Sequence, residues 1–366
     1  MSHLNQLDSR FRGNDNGGKP MPMMAPSPSK TRAMAWWLAI CAAMVFGMVV
    51  LGGATRLTES GLSIVEWKPL TVTPPLTQEA WQAEFENYKT SPQFKKENSW
   101  MTVDDFKGIF WLEYLHRLWG RIIGAAFLLP FLWFLHKRAV DRPLAQRLGG
   151  LFVLGGAQGA LGWYMVASGL VDRPDVSQYR LAAHLFTALV LYAALVWTSL
   201  DLFRRDNPTT VTTNSSFAAW TLAVAGFVLF VMVSGAFVAG LDAGMIYNTF
   251  PMMDGKFIPD GLYPIGAHSP FEDIKTVQFN HRVLAITLVA LVTVIWVKSH
   301  KAGLDAEGRK LALILFAVAY AQAALGISTL LTVVALPLAL AHQTTALILF
   351  TFALCLAHHV RASAPS

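Results

Sequence analysis

In this chain of 366 residues, 54% of positions are hydrophobic and only 14% are charged, against about 25% charged in an ordinary soluble domain. Such a composition suits lipid as solvent and excludes a soluble enzyme. The net charge of +6 sits largely in basic loops that set membrane topology, so no nucleic-acid partner is expected.

Residues 1–32, rich in Gly, Pro, Asn and Ser, lack the apolar bulk to fold. They are predicted to be a disordered tail, or an over-extended start with initiation at Met21, Met23, Met24 or Met34. The apolar stretch 33–54 is too long for a signal core and has no clear cleavage site, so it reads as a retained helix. Seven further stretches long enough to cross a hydrocarbon layer of roughly 30 Å follow at 109–135, 148–167, 179–202, 217–241, 277–297, 311–333 and 336–357. Basic residues mark the cytoplasmic side: Lys30 and Arg32 before the first span, Lys137, Arg138, Arg142 and Arg147 after the second, Arg204 and Arg205 after the fourth, and Lys298, Lys301, Arg309 and Lys310 after the sixth. Both termini are predicted to be cytoplasmic, with a long first outer loop at 55–108. Cys41 and Cys355 both fall inside apolar spans, which argues against a disulfide framework or a thiolate metal cluster.

The chain repeats itself. Glu113-Tyr114-Leu115-His116-Arg117 in the second span recurs as Gln278-Phe279-Asn280-His281-Arg282 in the sixth. Gln158-Gly159-Ala160-Leu161-Gly162 in the third recurs as Gln322-Ala323-Ala324-Leu325-Gly326 in the seventh. Leu181-Ala182-Ala183-His184 in the fourth corresponds to Leu340-Ala341-His342 in the eighth. At the exits of the first and fifth spans, Gly53-Ala54 corresponds to Gly235-Ala236 and Ser60-Gly61 to Ala243-Gly244. With four spans per repeat, the halves run parallel. The predicted fold is therefore an all-α integral membrane protein of eight transmembrane helices, in two tandem four-helix bundles related by a pseudo-two-fold axis along the membrane normal. The halves are 33–203 and 217–360, joined by a cytoplasmic linker at 204–216 and followed by a short tail at 361–366.

His116, His184, His281 and His342 come about five to eight residues after the start of their spans, which puts all four roughly 10 Å below the outer surface. Ionisable groups at that depth mark function or a buried pair. A histidine can simply hydrogen-bond a neighbouring helix, but packing does not require the same residue at matching positions in both repeats. Two imidazoles without further carboxylates or thiolates leave most of a zinc or copper shell unfilled. A haem brings four nitrogens of its own and needs two axial ligands. The repeat predicts two haem sites, His116 with His184 and His281 with His342. Arg117 and Arg282, each beside a ligand, either meet propionates or are taken up by snorkelling or ion pairing.

The two pockets differ. Glu113 stands one turn before His116 on the same face, where the second half has Gln278; Arg56 and Arg121 correspond to Ala239 and Ile286. Glu113 either pairs with Arg117 alone or also serves as a proton acceptor near a haem edge. Chemistry is expected at His116 and His184, and electron transfer or structural support at His281 and His342. His3, His136, His268, His300, His358 and His359 have no repeat partners and are expected to be solvated. Gly155, Gly156, Gly159 and Gly162 either admit a flat cofactor or, the preferred reading, serve close helix packing.

Through Glu113 to Arg117, Gly52-Gly53-Ala54-Thr55-Arg56-Leu57-Thr58-Glu59-Ser60-Gly61-Leu62-Ser63 and Tyr247-Asn248-Thr249-Phe250-Pro251, the chain resembles the haem A synthases of the Cox15/CtaA family, from about Met34 to His358. The resemblance implies oxidation of the C8 methyl of haem O, through an alcohol, to the formyl group of haem A used by cytochrome c oxidase. It implies haem b as prosthetic group in the second half, which falls on His281 and His342, and haem O as substrate at His116 and His184, with Glu113 assisting. Arg117, Arg282 and Arg56 are expected to help bind the cofactors. Some members carry a cysteine pair in the first outer loop, which this chain lacks. The loop start, with Glu66, Trp67 and Lys68, is similar to the proteobacterial and mitochondrial type, and a bacterial inner membrane is expected. Expected partners are membrane lipid, haem O synthase, cytochrome c oxidase assembly factors and a second copy of the chain. A di-haem b electron-transfer cytochrome and a haem carrier explain four histidines equally well, but neither needs Glu113 on one side only.

Overall fold

The computed structural model describes residues 28–66, 73–170, 176–206, 215–266 and 269–361. Most of the predicted tail with His3, Trp67 and Lys68 of the first loop, most of the predicted linker, His268 and the last five residues lie outside them.

All eight apolar stretches are helices long and apolar enough to cross a membrane. They are α1 (Pro28–Leu57), α4 (Val103–His136), α5 (Arg142–Gly169), α6 (Gln178–Asp206), α7 (Ser215–Gly240), α9 (Ile274–Ser299), α10 (Ala306–Leu331) and α11 (Leu336–Arg361). Three short helices, α2 (Gln78–Lys89), α3 (Pro92–Lys96) and α8 (Ser269–Glu272), lie in the connections. Among the described residues there is no strand, only one isolated bridge between Met253 and Lys256. Several starts are set by side chains that satisfy the free N–H groups of a first turn. Asp141 caps α5, Asp273 caps α9 and Asp305 caps α10.

Helix α4 begins well before the predicted 109. Thr102 and Asp105 form a reciprocal capping box, and this polar signal starts the helix two turns ahead of its apolar face. With 34 residues at 1.5 Å each, α4 is about 51 Å long and exceeds a bilayer core. His116 consequently lies more than three turns into its helix, whereas His184, His281 and His342 lie about two turns into theirs. The extra turns of α4 serve a small subdomain in what was expected to be a plain loop. Trp81, Phe85 and Tyr88 form a stripe along α2 and bury themselves against Phe106, Ile109 and Phe110 of α4 and against Ile64. The Tyr88 and Phe106 rings stack at 5.1 Å. The Tyr88 hydroxyl donates to Gln93 Oε1 (3.1 Å) and accepts from Asn98 Nδ2 (2.8 Å), and burial pushes its pKa up to about 12.

Helices α1, α4, α5 and α6 touch in cyclic order around a ring, and α7, α9, α10 and α11 do the same. The rings meet through α1 against α11, α6 against α7 and α6 against α11. Tyr192 on α6 shares a hydrogen bond with Thr351 on α11 (2.7 Å). One apolar core runs through both rings. Its fully buried side chains, among them Met34, Leu38, Leu148, Leu195, Leu202, Ile295, Leu315 and Phe350, lie mainly toward the end of the bundle away from His116, His184, His281 and His342.

At that opposite end the expectation for two histidines is corrected. His358 and His359 are only 6% and 8% exposed, and their Nε2 atoms meet Asp201 (2.9 Å) and Asp305 (2.8 Å). The last turn of α11 is covered by α6 and by the start of α10, and each supplies an acid for the imidazole it buries. His136 and His300 are exposed.

Replacing Phe106 by Ala is expected to remove on the order of 3 to 5 kcal/mol of local packing. Limited proteolysis should then cut between Leu76 and Asn98 while the spans stay intact; unchanged resistance would contradict an ordered aromatic core there.

Candidate functional site

Each of the four repeated histidines faces a glycine on the neighbouring helix. A Cβ built on Gly52 of α1 would lie 3.4 Å from His116 Nε2, and one on Gly162 of α5 would lie 3.0 Å from His184 Cε1. In the second ring a Cβ on Gly235 of α7 would come within 3.2 Å of His281 Cε1, and one on Gly326 of α10 within 2.7 Å of His342 Cε1. The imidazoles thus rest close to bare backbone: a Cβ at Gly326 would force a shift, at Gly162 and Gly235 it would be tight, and at Gly52 it would make ordinary contact. All four rings are half-buried. His116 and His184 stand within electrostatic reach of each other, and so do His281 and His342. The predicted pairs are therefore brought together, each between facing helices of one ring.

The glycines correct one register of the repeat. Gly52, not Gly53, answers Gly235. Gly53 instead receives Gln343 from the other ring: a Cβ there would lie 1.9 Å from the Gln343 amide oxygen, and Gln343 Nε2 donates to the Val49 carbonyl at 2.6 Å. Of the glycines singled out on α5, Gly162 alone supports a histidine; Gly156 and Gly159 meet nothing within 4 Å.

Two side-chain contacts to the rings complete the shell. Ser234, next to Gly235, holds His281 Nδ1 at 2.7 Å. Gln158, one turn before Gly162, brings Nε2 to 3.0 Å from both His184 Nδ1 and the His184 carbonyl. Gln322 takes the same position one turn before Gly326, with its Oε1 and His342 Nδ1 both buried and unpartnered. Neither Ser234 nor the glutamines were predicted as histidine partners, although the glutamines recur with the glycines and carried a readable signal.

Glu113 is 2% exposed and fully engaged. Its Oε2 accepts from Ser63 Oγ (2.6 Å) and from the Ile64 N–H (2.8 Å), and its Oε1 accepts from Arg117 (2.5 Å). Arg117 also donates to the Ile64 carbonyl (3.0 Å). The second ring repeats this grip with a different residue: Arg282 donates to the carbonyls of Tyr247 (2.6 Å) and Thr249 (2.8 Å), and Gln278 donates to Tyr247 (3.2 Å). Both arginines thus hold the main chain that follows the first helix of their half. The Glu113–Arg117 pair anticipated from the i, i+4 spacing is present. Arg56 reaches across to the other ring, donating to the Ala239 carbonyl (2.7 Å) and pairing with Asp242 (2.9 Å).

The arrangement fits a pair of flat metal macrocycles. Each ring of helices offers two neutral-capable imidazoles on facing helices, with no thiolate beside them. Around them, Arg282 Nε, Gln158 Oε1, Gln278 Oε1, Gln322 Oε1 and His342 Nδ1 are buried without a hydrogen-bond partner; the arginine N–H is a donor that a ligand's peripheral acid can meet, while the amide oxygens call for a donor such as ordered water.

Known proteins give the arrangement its context. A heme A synthase of Nitrosospira multiformis is 51% identical over 90% of this chain and 94% of its own length. One of Parvibaculum lavamentivorans is 49% identical with the same coverage. The heme A synthase COX15 of Mus musculus is 46% identical over 92% of this chain and 84% of its own length. With residues 35–354 matching the profile of the COX15-CtaA family, described as cytochrome oxidase assembly protein, the chain belongs to that family.

Proposed function

We propose that this protein is a haem A synthase, a membrane oxidoreductase that converts the C8 methyl of haem O to a formyl group by way of an alcohol. The observation that carries the reading is the one-sided carboxylate. Two glycine-backed histidine pairs repeat, but Glu113 stands one turn from His116 only, and Gln278 takes its position in the other ring. A di-haem electron-transfer protein or a haem carrier has no use for that difference. The relatives named for haem A synthesis, similar along nearly the whole chain, support the same choice.

On this reading His116 and His184 bind haem O as substrate, and His281 and His342 hold haem b. When bound, haem b supplies reversible one-electron chemistry. The residues of the chain do the rest. The histidines orient the macrocycles, and the glycines behind them let the helices close around flat groups. Glu113, held by Ser63, Ile64 and Arg117, accepts a proton or stabilises positive charge as the methyl is oxidised. Arg282, with Nε unpartnered, offers a donor to a propionate, while Arg117 and Arg56 act through the main chain and the opposite ring. We further assign two halves, 33–203 and 217–360, related by a pseudo-two-fold axis, a reading supported by the matching helix contacts of the rings. The positive loops favour a bacterial inner membrane with both termini cytoplasmic, with haem O synthase as the source of substrate and oxidase assembly factors as recipients of product.

Three measurements test this. Glu113→Gln keeps shape but removes charge, and should lower the haem A fraction in extracted haem roughly a hundredfold; a normal fraction by chromatography would end Glu113's assignment. His281→Ala should purify without tightly bound haem b, and full retention would move the prosthetic site elsewhere. Gly326→Ala, which pushes a methyl into His342, should also reduce haem b content, whereas Gly156→Ala, with open space around it, should leave it unchanged; equal content in both would deny the glycine seat its role.

A further inference from the structure

The two sites differ in how firmly the first histidine of each is prepared to bind iron. Ser234 Oγ lies 2.7 Å from the Val231 carbonyl and 2.7 Å from His281 Nδ1. An imidazole that ligates through Nε2 carries its proton on Nδ1; in that state the serine oxygen accepts it and the hydroxyl hydrogen goes to Val231. In the first ring Gly52 faces His116 through Nε2, where Gly235 meets Cε1 of His281, and the residue before it, in the place of Ser234, is Leu51. Leu51 has no polar side-chain atom, and His116 makes no ring hydrogen bond among the described residues. The second histidine of the first ring also lacks such an acceptor. Gln158 Nε2 lies 3.0 Å from both the His184 carbonyl and His184 Nδ1, so an amide donor faces the nitrogen that carries the proton when an imidazole ligates through Nε2.

We infer that Ser234 is a positioning residue that makes the second-ring site the permanent one, and that Leu51 at the matching position keeps His116 a readily released ligand. This rests on the assignment of haem b to His281 and His342 and of haem O to His116 and His184. The physical cause is general: a ligating imidazole whose other nitrogen donates a hydrogen bond is fixed in orientation and is a stronger base toward the metal. A resident group needs such a ligand; a substrate that must leave after oxidation is better served without one.

The test uses the full-length protein purified with its haem. Haem b transfer to excess apomyoglobin is timed, and the reduction potential and low-spin electron paramagnetic resonance signal are recorded, for wild type, Ser234→Ala, Ser234→Thr and Leu51→Ser. Ser234→Ala should release haem b roughly tenfold to a hundredfold faster, with a raised potential and a shifted signal. Ser234→Thr, which keeps the hydroxyl, should restore all three. Leu51→Ser should slow loss of the haem held by His116. Wild-type release and spectrum in Ser234→Ala, or the same defect in Ser234→Thr, would overturn the inference. If Ser234→Ala does not fold, Leu51→Ser alone decides, and unchanged release from the first ring counts against the proposal. Full haem b retention by His281→Ala would instead remove the site assignment beneath it.

Discussion

An imidazole on a lipid-solvated helix must be covered by another helix, and here the cover is glycine. Gly52, Gly162, Gly235 and Gly326 bring four helix backbones against four imidazole rings, and the spacing of both helix rings follows from that contact. A larger residue at Gly326 above all, and less so at Gly162 and Gly235, would press on the imidazole that faces it. Part of the polar network around them is satisfied inside the protein, as lipid demands, while Arg282 Nε and three glutamine oxygens beside the imidazoles are left unpartnered. Glu113 illustrates the satisfied part: three donors surround a carboxylate that no water is needed to solvate.

The arginine contacts give the two halves a shared framework with different fillings. Arg117 and Arg282 each reach back to the chain leaving the first helix of their half, at Ile64 and Tyr247. In the first ring the acid Glu113 accepts from that segment, whereas in the second the amide Gln278 donates to it. The two grips are alike, and the difference between Glu113 and Gln278 reverses the direction of one hydrogen bond and places a carboxylate one turn from His116 only.

The eight spans and the four repeated histidines were readable because apolar length and recurrence are properties of local sequence. What escaped reading depended on partners far along the chain. His358 and His359 have no neighbour in sequence that explains their burial; Asp201 and Asp305 come from other helices. The α2 subdomain was missed because Trp81, Phe85 and Tyr88 are separated by charged residues, so the segment is too polar on average to register as a core. The choice between Gly52 and Gly53 could not be made from adjacent identical residues, since which one faces His116 depends on the rotation of α1. Ser234 looked like an ordinary small residue of a span, and only the placement of His281 gives it meaning.

The apolar core gathers its fully buried side chains at the end of the bundle away from the four histidines, where His358 and His359 also tie α11 to α6 and α10. The histidine end is held by narrower means: glycine seats, a few hydrogen bonds, and the Arg56–Asp242 and Gln343–Val49 ties between rings. Helix positions are thus fixed by buried volume at one end and by directional contacts at the other, so that geometry rather than bulk sets the distance between helices where the four histidines lie.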